Sequence, residues 1–291
     1  MRIPLASVLL LAAVICGAGI GWRVYKGKTY ERKRAEAASL VRARAERGDA
    51  KAQHDLAGMY YYGKGVTQDY AEAVTWYRKA ADQGDREGEY GLGLMYREGK
   101  GVPQDPVQAI NWCRKAAEQG YARAQYALGN VYHDGWQVPQ DYAAAAAWYR
   151  KAAEQGYADA QYALGYMYYY GYGIPQDRVE ASRLFHQAAA QGNAMAQDGL
   201  GFMYSSGEGV AQDYLEAVRW YRKSAEQGYS KAQYALGYMY YYGYGVSRDR
   251  AEAYHLFRKA AAQGNQDAKR ALECSRKGIS IDPGAGLSGL Q

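Results

Sequence analysis

The residues of this chain that could perform catalysis or bind a metal stand in patterns that favour structural roles. Its four histidines are His54, His133, His186 and His255. None belongs to the H-E-x-x-H pair of zinc hydrolases, and the chain has neither a C-x-x-C pair nor the G-x-S-x-G turn of a nucleophilic serine. Each histidine is interpreted as a packing or surface residue, and no catalytic residue, metal site or cofactor is predicted.

Six aspartates recur at a fixed spacing and resemble a row of metal ligands or acid catalysts. Each precedes a helical pattern, however, and in four copies a glutamate follows three residues later, which is the spacing of an N-terminal capping box. The aspartates are Asp69, Asp105, Asp141, Asp177, Asp213 and Asp249, and the glutamates are Glu72, Glu180, Glu216 and Glu252. The G-x-G pair before most of these aspartates lacks the strand and the lysine of a phosphate-binding loop, so its first glycine is predicted to end a helix.

These caps belong to a 36-residue unit that occurs six times without insertion or deletion. Numbered from its opening glycine, each unit has a first helix at positions 3–15, as in Ala122 to Asp134, and a second at positions 23–35, as in Arg178 to Ala190. Large aromatic residues at positions 29 and 30 are predicted to fill the core between small residues. A fixed period of this length is typical of an all-α solenoid of helix-turn-helix repeats. The opening glycines are Gly48, Gly84, Gly120, Gly156, Gly192 and Gly228.

The segments that flank the repeats are predicted to be capping half-repeats and tails. Ala37, Leu40 and Val41 take the core positions of an N-terminal capping helix, and a polar helix closes the other end. Cys113 lies in the second repeat and Cys274 follows the sixth, so the two are predicted to be too far apart for a disulfide. The predicted segments are an apolar N-terminal helix in 1–28, a basic linker and capping helix in 29–47, the repeats in 48–263, a capping helix in 264–277 and a disordered tail in 278–291.

An apolar run from Ile3 to Trp22 carries no charge and is long enough to cross the hydrocarbon core of a bilayer. It is predicted to be a membrane span, and two alternatives stay open: a signal peptide cleaved near Cys16–Gly19, and a lipid anchor on Cys16. Seven basic residues follow within about 20 positions, which favours a single-pass protein of the bacterial inner membrane with cytoplasmic repeats. The short N-terminal tail favours export instead, so a periplasmic location after cleavage is the alternative.

The basic excess of the chain is confined to its N-terminal segment. Residues 1–47 hold ten lysines and arginines and three acidic residues, whereas the rest of the chain holds 26 basic and 27 acidic residues. Binding to nucleic acid phosphates requires clustered basic residues on one face. The repeats are therefore not predicted to bind nucleic acid.

The consensus string of the six units, A-x-A-Q-x-x-L-G-x-M-Y-x-x-G-x-G-V-x-x-D-x-x-x-A-x-x-W-Y-x-K-A-A-E-Q-G, resembles the Sel-one-like repeat family, a relative of the tetratricopeptide repeats. The resemblance implies a right-handed superhelix that serves as a non-enzymatic scaffold or adaptor for a protein or peptide partner. Some cysteine-rich bacterial members are linked to β-lactam hydrolysis, so an envelope-associated enzyme of that type is the alternative, although the paired cysteines are missing here. In the third repeat the match rests on Gln125, Leu128, Gly129, Tyr132, Gly135, Asp141, Trp148, Tyr149, Lys151, Ala152, Ala153, Glu154, Gln155 and Gly156.

Positions 7, 11 and 14 of the first helix vary between copies and form a stripe away from the core. In solenoids of this kind the first helix lines the concave groove, so these side chains are predicted to contact a partner, and no small-molecule substrate is expected. Tyrosine suits such a surface because its ring is rigid and its hydroxyl is polar. The alternative is that the tyrosines pack between successive first helices. The predicted contacts are Tyr126, Asn130, His133, Tyr162, Tyr166, Tyr169, Phe202, Tyr234, Tyr238 and Tyr241.

Overall fold

A computed structural model describes residues 33–277, and every regular element in that range is a helix. The chain divides into two compact units, each larger than one 36-residue repeat. Unit 1 holds repeats 1 and 2 and ends at Gln119, and unit 2 holds repeats 3 to 6 and begins at Gly120. Each repeat supplies two 13-residue helices with the predicted bounds, which confirms the all-α repeat fold. The helices are α1 (33–46), α2 (Ala50–Tyr62), α3 (Tyr70–Asp82), α4 (Arg86–Glu98), α5 (Pro106–Glu118), α6 (Ala122–Asp134), α7 (Tyr142–Glu154), α8 (Ala158–Tyr170), α9 (Arg178–Ala190), α10 (Ala194–Ser206), α11 (Tyr214–Glu226), α12 (Ser230–Tyr242), α13 (Arg250–Ala262) and α14 (Gln266–Arg276).

The predicted caps are confirmed in all six repeats. Gly171, for example, ends α8 in the left-handed conformation, with φ 77°, and its N–H donates to the Met167 carbonyl. All six aspartates accept backbone N–H groups of the second helix that follows. The capping-box interpretation of the glutamates is wrong, because the N–H of the capping aspartate donates to a tyrosine carbonyl, as in Asp177 to Tyr168 at 2.9 Å. Glu180 pairs instead with Arg183 on its own helix.

In repeats 4 and 6 the second glycine of the turn lies in close contact with the preceding repeat. Gly173 and Gly245 have φ of 67° and 64°, a region that side chains with a Cβ rarely adopt. A Cβ on Gly173 would lie 2.4 Å from the Tyr142 carbonyl carbon, and one on Gly245 would lie 2.2 Å from the Tyr214 oxygen. These two turns are thus seated against the start of the second helix of the preceding repeat.

The core of unit 2 is built on one aromatic ring per repeat, at position 30. Tyr149, Phe185, Tyr221 and Phe257 are all 3% exposed or less. A glycine on the first helix faces each ring, since a Cβ on Gly165, for example, would lie 2.8 Å from Phe185. These pairs let the two helices of a repeat approach closely.

The prediction that position 29 is also core is confirmed in unit 2 for Leu184 and Leu256 but is wrong for the two tryptophans. Trp148 and Trp220 are only half-buried, and the Nζ atoms of Lys151 and Lys223 lie 4.0 Å from their ring centroids. A cation over a tryptophan face is a favourable surface arrangement. In repeat 1 the order is reversed, because Trp76 is buried and Tyr77 is half-buried.

A buried glutamine at position 6 links the helices in both units. Its side chain accepts from the glutamine that ends the same repeat, as in Gln83 to Gln53 at 2.7 Å and Gln155 to Gln125 at 2.8 Å. In repeat 2 the acceptor is Glu89, whose pKa is raised by burial although Gln119 donates to it at 2.8 Å. These bonds satisfy polar groups that would otherwise be costly to bury.

The ends of the described range are capping helices with fewer buried residues. In α1, Ala38 and Ala45 face the core and Val41 packs against it, as predicted for Val41. The prediction is wrong for Ala37, which is exposed, and for Leu40, which is 70% exposed. No helix within 33–277 combines the length and apolarity that a bilayer crossing demands. The predicted N-terminal span in 1–28 and the predicted tail in 278–291 lie outside the described residues.

Candidate functional site

Positions 7, 11 and 14 lie where successive first helices meet, as the neighbouring helices α10 and α12 illustrate in unit 2. In repeat 3 the Tyr126 ring lies 5.7 Å from Tyr149 of its own repeat and 5.4 Å from Tyr157 of the next. Asn130 is half-buried and accepts a hydrogen bond from the Tyr149 hydroxyl at 2.6 Å. His133 lies at the rim, 2.7 Å from Asp134.

The three predicted tyrosines of repeat 4 lie at different depths. Tyr162 stacks on the core ring Phe185 at 5.6 Å and is half-buried. Tyr169 is buried, and its hydroxyl donates to Glu208 of the next repeat. Tyr166 is half-buried, and its ring lies 4.7 Å from Tyr170.

The remaining predicted residues lie on α10 and α12. Phe202 is half-buried, 6.1 Å from the Tyr169 ring. Tyr234, Tyr238 and Tyr241 are buried, with exposed fractions between 1% and 7%. These three tyrosines and Tyr169 are packed inside unit 2, as the alternative prediction states, because neighbouring side chains cover them. Their direct contact with a partner stays a prediction.

We call the ten predicted residues at positions 7, 11 and 14 the tyrosine row. In repeat 4 an outer layer of tyrosines covers part of this row. Tyr142, Tyr172 and Tyr170 form a near-parallel stack, with ring centroids 5.2 and 5.4 Å apart and interplanar angles of 18° and 15°. Tyr172 is 36% exposed, and the Tyr166 ring leans against it at 6.0 Å. Burial raises the pKa of Tyr170 to about 12, so this hydroxyl is neutral at physiological pH.

The same stack recurs 72 residues later in repeat 6. Tyr214, Tyr244 and Tyr242 lie 5.1 and 5.6 Å apart at 17° and 15°, and Tyr238 lies beneath them, 4.7 Å from Tyr242. We call the two groups the tyrosine stacks: Tyr142, Tyr170 and Tyr172, and Tyr214, Tyr242 and Tyr244. All six rings keep solvent-accessible surface.

Sequence reasoning missed these stacks because their members belong to different repeats. Within unit 2, position 17 packs against position 23 of the preceding repeat, and the two residues change together. The pair is Tyr172 with Tyr142 and Tyr244 with Tyr214 in the stacks, but Glu208 forms a 3.1 Å ion pair with Arg178 at the junction between them. This paired variation at a separation of 30 residues is the sequence signal that could have identified the stacks.

One acidic residue interrupts the tyrosine row at position 7. Asp198 is only 7% exposed, and burial raises the pKa of its carboxyl to about 7 against the lowering effect of the Lys231 charge. It lies close enough to Tyr162 and Tyr229 for its charge to raise the pKa of both hydroxyls, although burial is the larger cause in each. A carboxyl so placed carries a proton much of the time near neutral pH.

Known proteins share both the repeat and the fold. Six consecutive segments match the Sel1 repeat: 50–85, 86–121, 122–157, 158–193, 194–229 and 230–265. The crystal structure of a protective antigen from uropathogenic Escherichia coli strains, which displays an SLR fold, is 40% identical with a TM-score of 0.75. The match covers 86% of this chain and 54% of the antigen, so the chain spans about half the length of that protein.

A second similar structure is a Sel1 repeat protein from Oxalobacter formigenes. It is 32% identical with a TM-score of 0.71, and the match covers 84% of this chain and 96% of the other. No curated protein matches the chain. The similarity therefore establishes repeat type and architecture but names no partner.

Proposed function

The chain belongs to the Sel1 repeat family, whose members act in general as protein-interaction scaffolds, and we propose that it is a non-enzymatic adaptor that binds a protein or peptide partner on the tyrosine stacks of unit 2. The observation that carries this proposal is the recurrence of one partly exposed three-ring arrangement, with two rings from repeat 4 or 6 and the third from the repeat before it. The repeat frame needs no tyrosine there, since Lys100 stands at position 17 of repeat 2 and Glu208 at that of repeat 5.

The stacks have the properties of a protein-binding surface. Their rings are held by one another, so binding costs little side-chain entropy, and each keeps an apolar face and a hydroxyl. Aromatic residues are enriched at the cores of interfaces, where lysine and glutamate are depleted. The partner segment expected here is apolar or aromatic and carries groups that bond to tyrosine hydroxyls.

The six residues of the row that keep exposed surface, which include Tyr126, Tyr162, Tyr166 and Phe202, flank the stacks and extend the proposed surface. The four buried ones support it from below. This division assigns direct contact to the outer layer and positioning to Tyr169, Tyr234, Tyr238 and Tyr241.

We also propose that the apolar run Ile3–Trp22 tethers the adaptor to the bacterial inner membrane with its repeats in the cytoplasm. The charge-free length and the basic residues that follow support this orientation. The full chain is then expected to stay in the membrane fraction after a carbonate wash. Protease added to spheroplasts should leave the repeats intact, and digestion from outside would place them in the periplasm.

Site-specific photo-crosslinking tests the binding surface. A photoreactive phenylalanine at position 172 or 244 should give a crosslinked partner in cells. The same residue at position 215, which is 52% exposed on the second helix α11, is the control and should give none. Equal crosslinking at all three positions, or none at positions 172 and 244, would remove the proposed surface.

The non-enzymatic assignment has its own test. The full chain should not turn over a chromogenic β-lactam. Turnover that survives further purification and is lost when Tyr172 or Tyr244 is replaced would show that the surface is an active site.

A further inference from the structure

A histidine and two carboxylates from successive repeats meet where α2 and α4 lie side by side in unit 1. The Nδ1 atom of His54 lies 3.2 Å from Asp85 Oδ1, and its Nε2 atom lies 3.1 Å from Glu87 Oε2. A third carboxylate, Asp55, approaches Nε2 at 3.2 Å. The imidazole is largely enclosed, with 17% of its side-chain surface exposed.

One nitrogen of this imidazole is buried without a hydrogen bond. The Nδ1 atom has no partner of acceptable geometry, although an Asp85 oxygen lies 3.2 Å away. That oxygen already accepts from the Gly88 N–H at 2.6 Å as the N-cap of α4, so the helix and not the histidine fixes its direction. A buried, unpaired nitrogen beside a carboxylate is an arrangement that a bound ion would satisfy.

We propose that His54, Asp85 and Glu87 bind a first-row divalent cation, with Zn²⁺ as the representative, between the first two repeats. Each residue offers one ligand atom, and these atoms lie within 4.8 Å of one another. Zinc bonds to imidazole nitrogen and carboxylate oxygen are about 2.0–2.2 Å. Small rotations of the imidazole and of the Glu87 side chain, which is 40% exposed, would provide them while Asp85 keeps its cap. Three protein ligands leave a fourth position for water or for Asp55.

The charges at the site favour a cation. The N-terminus of α4 contributes about half a positive charge, which opposes binding. Two ligand carboxylates and the neighbouring Asp55 outweigh it. A cation held in this way would join α2 of one repeat to α4 of the next.

The ligand set is specific to this junction, and its members are too far apart in sequence to form a short metal motif. His54 stands at position 7 of repeat 1, and Asp85 and Glu87 stand at positions 2 and 4 of repeat 2. In unit 2 the corresponding positions hold Tyr126, Tyr157 and Asp159; Tyr162, Asn193 and Met195; Asp198, Tyr229 and Lys231; and Tyr234, Asn265 and Asp267. None of these sets contains a histidine.

Those other copies supply substitutions that the fold already accepts. His54→Tyr introduces the residue found at position 7 of repeat 3, and Asp85→Asn keeps a cap of the kind that Asn193 and Asn265 provide. Glu87→Gln changes a half-exposed side chain. The control is His133→Tyr, which removes a surface histidine paired with Asp134 and introduces the residue found at position 14 of repeat 4.

Zinc titration of the tag-free full chain by calorimetry tests the proposal. Wild type should bind one Zn²⁺ per chain with a rise in Tm. His54→Tyr and Glu87→Gln should weaken binding at least tenfold and lose the Tm rise, whereas His133→Tyr should bind as wild type does. Mg²⁺ should bind far more weakly, because it does not favour an imidazole ligand.

Three results would overturn the site. The first is an absence of saturable Zn²⁺ binding by wild type at pH 7.5, which would mean that His54 contacts its carboxylates without a metal ion. The second is unchanged binding in both His54→Tyr and Glu87→Gln. The third is equal binding of Mg²⁺ and Zn²⁺, which would indicate attraction to acidic groups alone. Glu87→Gln keeps the test valid if His54→Tyr fails to fold.

Discussion

The junction between repeats 1 and 2 in unit 1 and that between repeats 3 and 4 in unit 2 share a frame but carry different chemistry. Both have first helices that end at a left-handed glycine, Gly63 and Gly135. Both have a buried glutamine at position 6 that accepts a hydrogen bond from the glutamine ending the same repeat, at 2.7 and 2.8 Å. Yet position 7 holds His54 among carboxylates in one, and Tyr126 against Tyr157 in the other.

The contact between position 17 of one repeat and position 23 of the repeat before it also differs between the two junctions. In unit 1 the Lys100 Nζ atom lies 5.3 Å from the Tyr70 ring centroid, and in unit 2 Tyr172 stacks on Tyr142 at 5.2 Å. Backbone caps, glycines and buried amides fix the relation between repeats, so these side chains are free to change. The comparison therefore separates residues that make the fold from residues that make the surface.

The largest expected effect comes from the buried rings of the frame. Trp76→Ala in unit 1 and Tyr149→Ala in unit 2 should each lower the free energy of unfolding by about 3–5 kcal/mol, because both rings are buried. Trp148→Ala is the matched control and should cost about 1–2 kcal/mol, since its ring is half-buried. Chemical denaturation measures all three, and equal losses for Trp76→Ala and Trp148→Ala would contradict the assignment.

The turn glycines test whether the frame is the same in both units. Gly101→Ala and Gly173→Ala should each cost about 3 kcal/mol or more, because a Cβ would lie 2.2 Å from the Tyr70 oxygen or 2.4 Å from the Tyr142 carbonyl carbon at positive φ. Gly156→Ala, where nothing lies within 4 Å of the added Cβ, should cost only about 1 kcal/mol of backbone strain. A large loss in one unit and not the other would show that the junctions are built differently.

Sequence alone predicted the frame well and the surface poorly, for a physical reason. Helix bounds and caps depend on local signals that repeat in every copy, such as the aspartate before α9 and the glycine after α8. The depth of a ring depends on which neighbour covers it, so Trp148 was misassigned to the core. The stacks and the His54 cluster each combine residues from two repeats, which a search within one repeat does not find.

A smaller effect is expected from Asp198, which interrupts the tyrosine row of unit 2 as His54 interrupts position 7 in unit 1. Its folded-state pKa of about 7 exceeds the ordinary value of 3.8, so the folded state holds the proton more tightly. The contribution of Asp198 to the free energy of unfolding should be fully present below pH 4 and be lost as pH rises through 7. Asp198→Asn should remove this decline and be more stable than wild type at pH 8, on the order of 2 kcal/mol.

Thermal melts of wild type and Asp198→Asn between pH 4 and pH 8 measure this difference. At each pH the quantity compared is the Tm of wild type minus the Tm of the variant. Parallel curves for wild type and Asp198→Asn would mean that the carboxyl is hydrated or paired in the folded state.

The central claim is that the tyrosine stacks bind the partner without holding the fold together. Tyr172→Lys with Tyr244→Lys tests it most directly, because Lys100 already occupies the same position in repeat 2. The affinity of this double variant for the crosslinked partner should fall at least tenfold, since hot-spot tyrosines at interfaces contribute about 2 kcal/mol or more each, while its Tm stays at the wild-type value. Unchanged affinity, or a loss of stability as large as that of Tyr149→Ala, would contradict the claim.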